Sequence, residues 1–514
     1  MKFDILDKSL VPIKTLLIFT YSDLIDDDLN TPFSEQFNNG ASNNFLKKMI
    51  SNKEITGNQG EEVILHTNMI DNFSYKSLNF QEKLCPEKIM LYGLGKSTVL
   101  TADLVRSSSA MISRKVTKLN QSTLSVILGS VKNISPEIAI SSITDGIILG
   151  AYKFNEFKSL QQKNHSLMNV EYLVDQNSNL QKLESSMKKS EILSNSSIKA
   201  RDLVNRPPNI ANPEYLKNYS KDLVKNNPNL SIEILDKDDM NKLEMRALLG
   251  VAQGSKADPY GIIIDFKGDE NNPKNNIWLI GKGITFDSGG LSLKPSMSMI
   301  DMKSDMSGGA AVIAAMEAIS KLSPKINVTG LCLATENMPG GGAQRVGDVV
   351  KSMNGKTIEI ENTDAEGRLT LADAVEFANQ RGAKRIIDVA TLTGAMVIAL
   401  GHGLIGAFSN DEDLLKTVIS SGDKTGEKIW HMPLDETSKK QNRSKIADIK
   451  NTGGRAAGSV TAAHFIGEFV GSTPWVHLDI AGTAMSASEK GWISQGATGY
   501  PCRTLVETVI KLSY

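Results

Sequence analysis

A chain of 514 residues is too long for one compact core, so two domains are expected. Its 40% hydrophobic and 22% charged content lies in the ordinary globular range and excludes global disorder. With 57 lysines and arginines against 58 aspartates and glutamates, a net charge of −1, nothing in the bulk charge marks a non-specific nucleic-acid or membrane-surface binder.

Near the amino terminus the apolar stretch Thr15–Thr20 lacks a basic head and a continuous hydrophobic segment, so it reads as a first β-strand and not a signal peptide. Short apolar runs at Val63–Leu65, Ile89–Tyr92 and Ile147–Leu149, separated by polar helical stretches, predict a small α/β layer domain over residues 1–170. Residues 171–205 read as a helical connection. Ile192, Leu193, Ile198, Leu203 and Val204 keep a helical spacing, and the helix must stop before Pro207-Pro208. Residues 206–514 form the larger domain. Of the 41 glycines, 33 lie beyond residue 200, as do all four tryptophans, which points to a site built on loops there. Strand-like runs at Ile262–Phe266, Ile277–Ile280, Val328–Ala334 and Ile386–Ala390 alternate with helical stretches at Met306–Ile319 and Leu369–Asn379. This rhythm predicts an α/β/α domain around a mixed, mostly parallel sheet, with ligands beyond the carboxyl ends of its strands. The weakly charged run Thr391–Phe408 touches the lower length limit of a membrane span, but its glycines and β-branched residues make it a buried strand plus loop.

Several chemical signals fail. Cys85, Cys332 and Cys502 are odd in number and far apart, which excludes a disulfide scaffold and a tetrahedral cysteine zinc site and fits a reducing cytoplasm. Leu94-Gly95-Lys96-Ser97-Thr98 looks like the end of a phosphate-binding loop, but Met90 stands where that pattern needs glycine. The six histidines (His66, His165, His402, His431, His464, His477) have no ligand spacing, and no G-x-S-x-G elbow surrounds Ser288.

One constellation survives. Ile277-Trp278-Leu279-Ile280-Gly281 delivers Lys282 and, five residues later, Asp287 into a glycine-flanked loop, with Lys294 soon after. Asp305 stands at the entry to an alanine-rich helix, where its simplest role would be a cap. Asp364 and Glu366 are two apart, so in extended chain they share one side. Clustered carboxylates repel one another unless protonated or holding cations. Oxygen clusters suit Mg²⁺, Mn²⁺ or Zn²⁺, and four carboxylates balance two divalent ions.

Asn362-Thr363-Asp364-Ala365-Glu366-Gly367-Arg368-Leu369 resembles the signature of the leucyl (cytosol) aminopeptidase family. Gly281-Lys282-Gly283, Phe286-Asp287-Ser288-Gly289-Gly290 and the Asp305 segment match its other metal-site motifs in order and spacing. Asp202-Leu203-Val204-Asn205-Arg206-Pro207-Pro208-Asn209 and His477-Leu478-Asp479-Ile480-Ala481-Gly482 extend the likeness over roughly residues 200–514. Before that it rests on Leu91–Lys96 and Gly146–Tyr152. The first domain is similar in outline to nucleotide-binding macro domains, although residues 1–170 supply no phosphate-cradling loop.

The resemblance implies a cytoplasmic enzyme that removes the N-terminal residue, preferably leucine or another apolar one, from peptides. Two divalent ions, Mn²⁺ or Zn²⁺, would lie about 3–4 Å apart and share an activated bridging water. Lys282, Asp287, Asp305 and Glu366 would hold the tighter ion; Asp287, Asp364 and Glu366 the more exchangeable one. Lys294 would stabilise the oxyanion and Arg368 would hold a bicarbonate acting as general base. The backbone at Asn362 and Leu392 would align the peptide, and Met302, Thr391, Gly394 and Ala481 would line the side-chain pocket. Ala484 stands where the family leads one to expect methionine, with Met485 beside it. The family also implies a homohexamer of stacked trimers, with peptides as partners and neither membrane nor nucleic acid.

Overall fold

Aliphatic and aromatic residues set six strands in the first part of the chain: β1 (Lys2–Asp7), β2 (Thr15–Thr20), β3 (Glu62–His66), β4 (Lys88–Gly93), β5 (Thr123–Ile127) and β6 (Asn169–Val174). The structure, a computed structural model, describes residues 1–7, 14–23, 49, 51–66, 86–159, 167–174 and 177–514; Cys85 and His165 lie outside them. The strands pair in the order β1-β6-β5-β2-β4-β3, parallel throughout except for β3 against β4. The expected strand at Thr15–Thr20 is present, but it is the second in the chain and lies inside the sheet, with Leu16 and Leu17 fully buried. The run Ile147–Leu149 is not extended. It belongs to the helix Pro136–Ala151, started by Ser135, whose side chain accepts the Ile138 N–H, and by Pro136 in the first turn. A short apolar run does not by itself distinguish a buried helix from a strand, and here the Ser-Pro start decides. The helix Leu180–Asn205 follows β6 and ends before Pro207.

By contacts the chain divides into two units, Met1–Asn195 with Glu489–Ser494, and Ser196–Ser488 with Gln495–Tyr514. The second holds β7 (Leu230–Leu235), β8 (Tyr260–Lys267), β9 (Asn276–Asp287), β10 (Asn327–Asn337), β11 (Val349–Lys351), β12 (Thr357–Glu359), β13 (Ile386–Ala390), β14 (Ile405–Ser409), β15 (Ile429–His431), β16 (Ile449–Lys450) and β17 (Trp475–Asp479). Eight of these form a mixed sheet, β15-β14-β17-β13-β9-β10-β8-β7, and β11-β12-β16 form a small one. The four central strands β17, β13, β9 and β10 run parallel. Every residue of β13 is buried, as a central strand covered on both faces requires; each of its isoleucines contributes about 1.5–3 kcal/mol by leaving water. The alanine-rich helix Ser307–Leu322 crosses from β9 to β10 and is buried through Ser320. Thr391–Phe408 is a loop, a short helix (Gly394–Leu400) and most of β14; Thr393 caps that helix by accepting the Met396 N–H. Among the described residues no helix is long and apolar enough to cross a membrane.

Candidate metal centre

The carboxyl ends of β9, β13 and β17 open into a cavity of about 400 Å³, where an α/β sheet characteristically binds its ligand. All thirteen residues singled out in the sequence line it: Lys282, Asp287, Lys294, Met302, Asp305, Asn362, Asp364, Glu366, Arg368, Thr391, Leu392, Gly394 and Ala481. Ala484 and Met485 line it too.

Lys282 and Asp287 lie within β9 itself, since the strand runs on past the apolar run Ile277–Ile280 to Asp287. Residues five apart on a regular strand face opposite ways. Against β10, however, Ile284 pairs with Thr335 and Phe286 with Glu336, so Thr285 is an extra residue on β9. This bulge restores the parity, and both side chains reach the same cavity. Asp305 does not cap a helix. It sits in the 3₁₀ turn Met302–Met306, where its Oδ1 accepts the Thr391 hydroxyl at 2.7 Å. Asp364 and Glu366 lie in a turn before the helix Gly367–Gln380, so the turn, and not strand alternation, brings them together. The start of that helix also favours negative charge at Glu366. Gly367 is needed for space: a Cβ there would stand 2.5 Å from Lys282 Cε. Gly289, at φ +87, turns the chain beside Asp364.

Oxygen atoms of Asp287, Asp364 and Glu366 lie within 4.8 Å of one another. Lys282 Nζ is 2.8 Å from both Asp305 Oδ1 and Glu366 Oε1, and donates to the Thr391 carbonyl at 3.1 Å. Lys294 Nζ is 2.8 Å from Asp287 Oδ2 and pairs closely with Asp364. Burial pushes Asp305 well above the carboxylate range and Asp287 to about 6, with Glu366 adding to both. Burial also raises Asp364. For Glu366 burial is outweighed by Lys282 and Lys294, which lower it. Burial works against the charge on Lys282 and Lys294, but the carboxylates around them prevail and raise both. Burial brings the Arg368 guanidinium down to about 10. Asp305 Oδ2 is buried without a hydrogen-bond partner. Four crowded carboxylates, one with an orphaned oxygen, form a donor set suited to divalent cations.

Two residues not singled out in the sequence, Asn337 and Asn451, hold this set in place, and Asp479, quoted there only within a motif, ties together the loops beside it. Asn337, at the end of β10 beside Asp287, donates to Asp287 Oδ1 (2.8 Å) and to the Thr363 carbonyl (3.0 Å). Asn451 accepts an Arg368 N–H at its backbone carbonyl (2.8 Å). Asp479, at the end of β17, accepts the Leu392 N–H from the loop after β13 and the Ala481 N–H from its own loop. A polar residue closing a strand next to β9 was the signal available for Asn337; Asn451 offered none, because its partners are more than eighty residues away.

Residues 198–506 match the model of the cytosol aminopeptidase family's catalytic domain, and residues 17–161 that of its N-terminal domain. The chain belongs to the cytosol aminopeptidase family. It is 41% identical over 466 residues to a probable cytosol aminopeptidase of Alkaliphilus oremlandii, covering 90% of each chain. Its fold matches a mutant tomato leucine aminopeptidase with a TM-score of 0.85 at 33% identity, over 99% of this chain and 96% of that one. It also matches the bottromycin maturation enzyme BotP in complex with Mn, with a TM-score of 0.82 at 29% identity over 98% and 100%. Membership of this family of metal-dependent peptidases makes the protein an aminopeptidase, and its two-domain α/β architecture is the family's own.

Proposed function

We propose that this family member is a cytoplasmic leucyl-type aminopeptidase that removes an N-terminal leucine, or another apolar residue, from peptides with two divalent ions. The convergence of Asp287, Asp305, Asp364 and Glu366 around Lys282 and Lys294 carries this reading. Lys282, Asp287, Asp305 and Glu366 would hold one ion and Asp287, Asp364 and Glu366 the other, with Mn²⁺ supported by the BotP neighbour and Zn²⁺ the alternative. Such ions supply Lewis acidity toward the peptide carbonyl and toward water. As a ligand, Lys282 must be neutral, below its ordinary pKa of about 10.4, and cations among the same carboxylates would reverse the field that now holds it charged.

The chain's own groups account for the rest. Lys294, at the cavity wall, is the donor for negative charge developing on the carbonyl oxygen. Arg368 commits one N–H to Asn451 and keeps others for a planar anion, which we take to be bicarbonate. Bicarbonate there would supply a general base that no histidine of the cavity lining provides. Backbone groups at Asn362 and Leu392 would align the peptide, while Met302, Thr391, Gly394 and Ala481 would enclose the first side chain. A homohexamer is the assembly we expect from the family.

Hydrolysis of leucine p-nitroanilide in bicarbonate buffer tests the reading. Activity should vanish on chelation and return with Mn²⁺ or Zn²⁺, and Asp364→Ala or Glu366→Ala should abolish it. Inactivity with either metal, or full chelator-sensitive activity in those variants, would sink the assignment. Light scattering that gives a monomer would remove the hexamer.

A further inference from the structure

Asp479 is buried and does not itself line the cavity. Its Oδ1 accepts the backbone N–H of Leu392 (3.2 Å) and of Ala481 (3.1 Å), and its Oδ2 accepts the Thr393 hydroxyl (2.7 Å). Leu392 and Thr393 belong to the loop after β13 and Ala481 to the loop after β17, and all three line the cavity. Thr393 also caps the helix Gly394–Leu400, whose Ala395 and Val397 form part of the same wall. One carboxylate therefore joins the loops of two neighbouring strands that together form part of the cavity wall. Apolar lining alone is non-directional and cannot fix a spacing, whereas three hydrogen bonds to a rigid carboxylate can. These bonds also satisfy loop N–H groups that would otherwise be costly to bury.

We propose that Asp479 is a positioning residue that sets the width of the pocket for the substrate's N-terminal side chain, and so sets selectivity for bulky over small residues. This rests on the aminopeptidase reading of the cavity. Asp479 touches no substrate; it acts through the Leu392–Thr393 and Ala481 backbones.

The test is kcat/KM for leucine and for alanine p-nitroanilide, with Mn²⁺-loaded full-length wild type, Asp479→Ala, Asp479→Asn and Thr393→Val. Asp479→Ala should lower the leucine-to-alanine ratio about tenfold, chiefly through KM for the leucine substrate, with bound metal unchanged. Asp479→Asn keeps an oxygen for the two N–H donors and a polar group toward Thr393, and should hold the ratio within about twofold. Thr393→Val removes one of the three bonds and should lower the ratio by less. A ratio unmoved in Asp479→Ala and Thr393→Val, or one that falls as far in Asp479→Asn, overturns the proposal. If Asp479→Ala does not fold, Thr393→Val against Asp479→Asn carries the same comparison. Wild type that cleaves neither substrate overturns the underlying reading as well, so the two failures are distinguishable.

Discussion

The side-chain amide of Asn451 grips Asn362 by both of its backbone polar groups: Oδ1 accepts the Asn362 N–H at 3.3 Å while Nδ2 donates to its carbonyl at 2.6 Å. The same Oδ1 accepts the Glu361 N–H at 3.0 Å, and the Asn451 carbonyl accepts from Arg368. One buried residue thus fixes both the segment leading to Asp364 and the guanidinium opposite it. Asn451→Ala should lower kcat/KM by about ten- to a hundredfold at saturating metal, the scale of loss expected from a misplacement near 1 Å. Asn451→Asp should do no better, because an acceptor would then face the Asn362 carbonyl. Steady-state kinetics that leave Asn451→Asp near wild type would refute the clamp.

Gly367→Ala probes the space that Lys282 needs. Gly367 is the first residue of its helix, so alanine there gains little of the preference of about 1 kcal/mol that it has in a helix interior. The new Cβ would meet the flexible end of Lys282, which can move only by leaving Asp305 and Glu366. A lowered melting temperature of the metal-free protein, from the buried ion pairs lost, and metal affinity weakened at least about tenfold are expected together. Titration of apo-protein with Mn²⁺ showing wild-type affinity would contradict it.

Asp388 is fully buried and accepts from two donors, Trp475 Nε1 and His477 Nδ1, each at 2.6 Å. Asp388→Ala leaves both donors without a partner and should cost about 3–5 kcal/mol. Asp388→Asn keeps one oxygen and should cost less, about 1–3 kcal/mol. Denaturant melts giving equal losses for the two variants would show that the hydrogen bonds are not what Asp388 contributes.

Asp373 offers a pH test away from the metal site. Its two oxygens accept the Leu248 and Met353 N–H groups at 2.9 Å, yet burial dominates and raises its pKa from 3.8 to about 7. The folded state therefore holds this proton where the unfolded chain has released it. The resulting stability is fully present below about pH 4 and is lost as pH rises toward 7. Relative to Asp373→Asn, wild type should lose stability across that window. Parallel stability–pH curves for the two proteins would remove Asp373 as the cause.

Much of this was legible in sequence. β8, β9, β10 and β13 follow apolar runs that a buried sheet demands, and the site carboxylates follow strand ends. The misreadings share a local cause. Ile147–Leu149 is apolar on a helix because that helix is buried, and Asp364–Glu366 meet through a turn that a two-residue interval does not specify. What stayed hidden was long-range: Asn451 reaches Asn362, and Asp479 reaches Leu392 and Thr393, across more than eighty residues, and no spacing along the chain reports such a contact.

The extra residue at Thr285 makes the interval between Lys282 and Asp287 as consequential as their identities. Chain length through this short stretch works as a ratchet with two settings, and only one turns both side chains inward. Substituting Ile284, Thr285 or Phe286 changes local packing, whereas removing any one of them would rotate Lys282 or Asp287 out of the cavity toward the opposite face of the sheet. Relatives of this chain can therefore be expected to tolerate varied residues between the two positions while holding their number fixed.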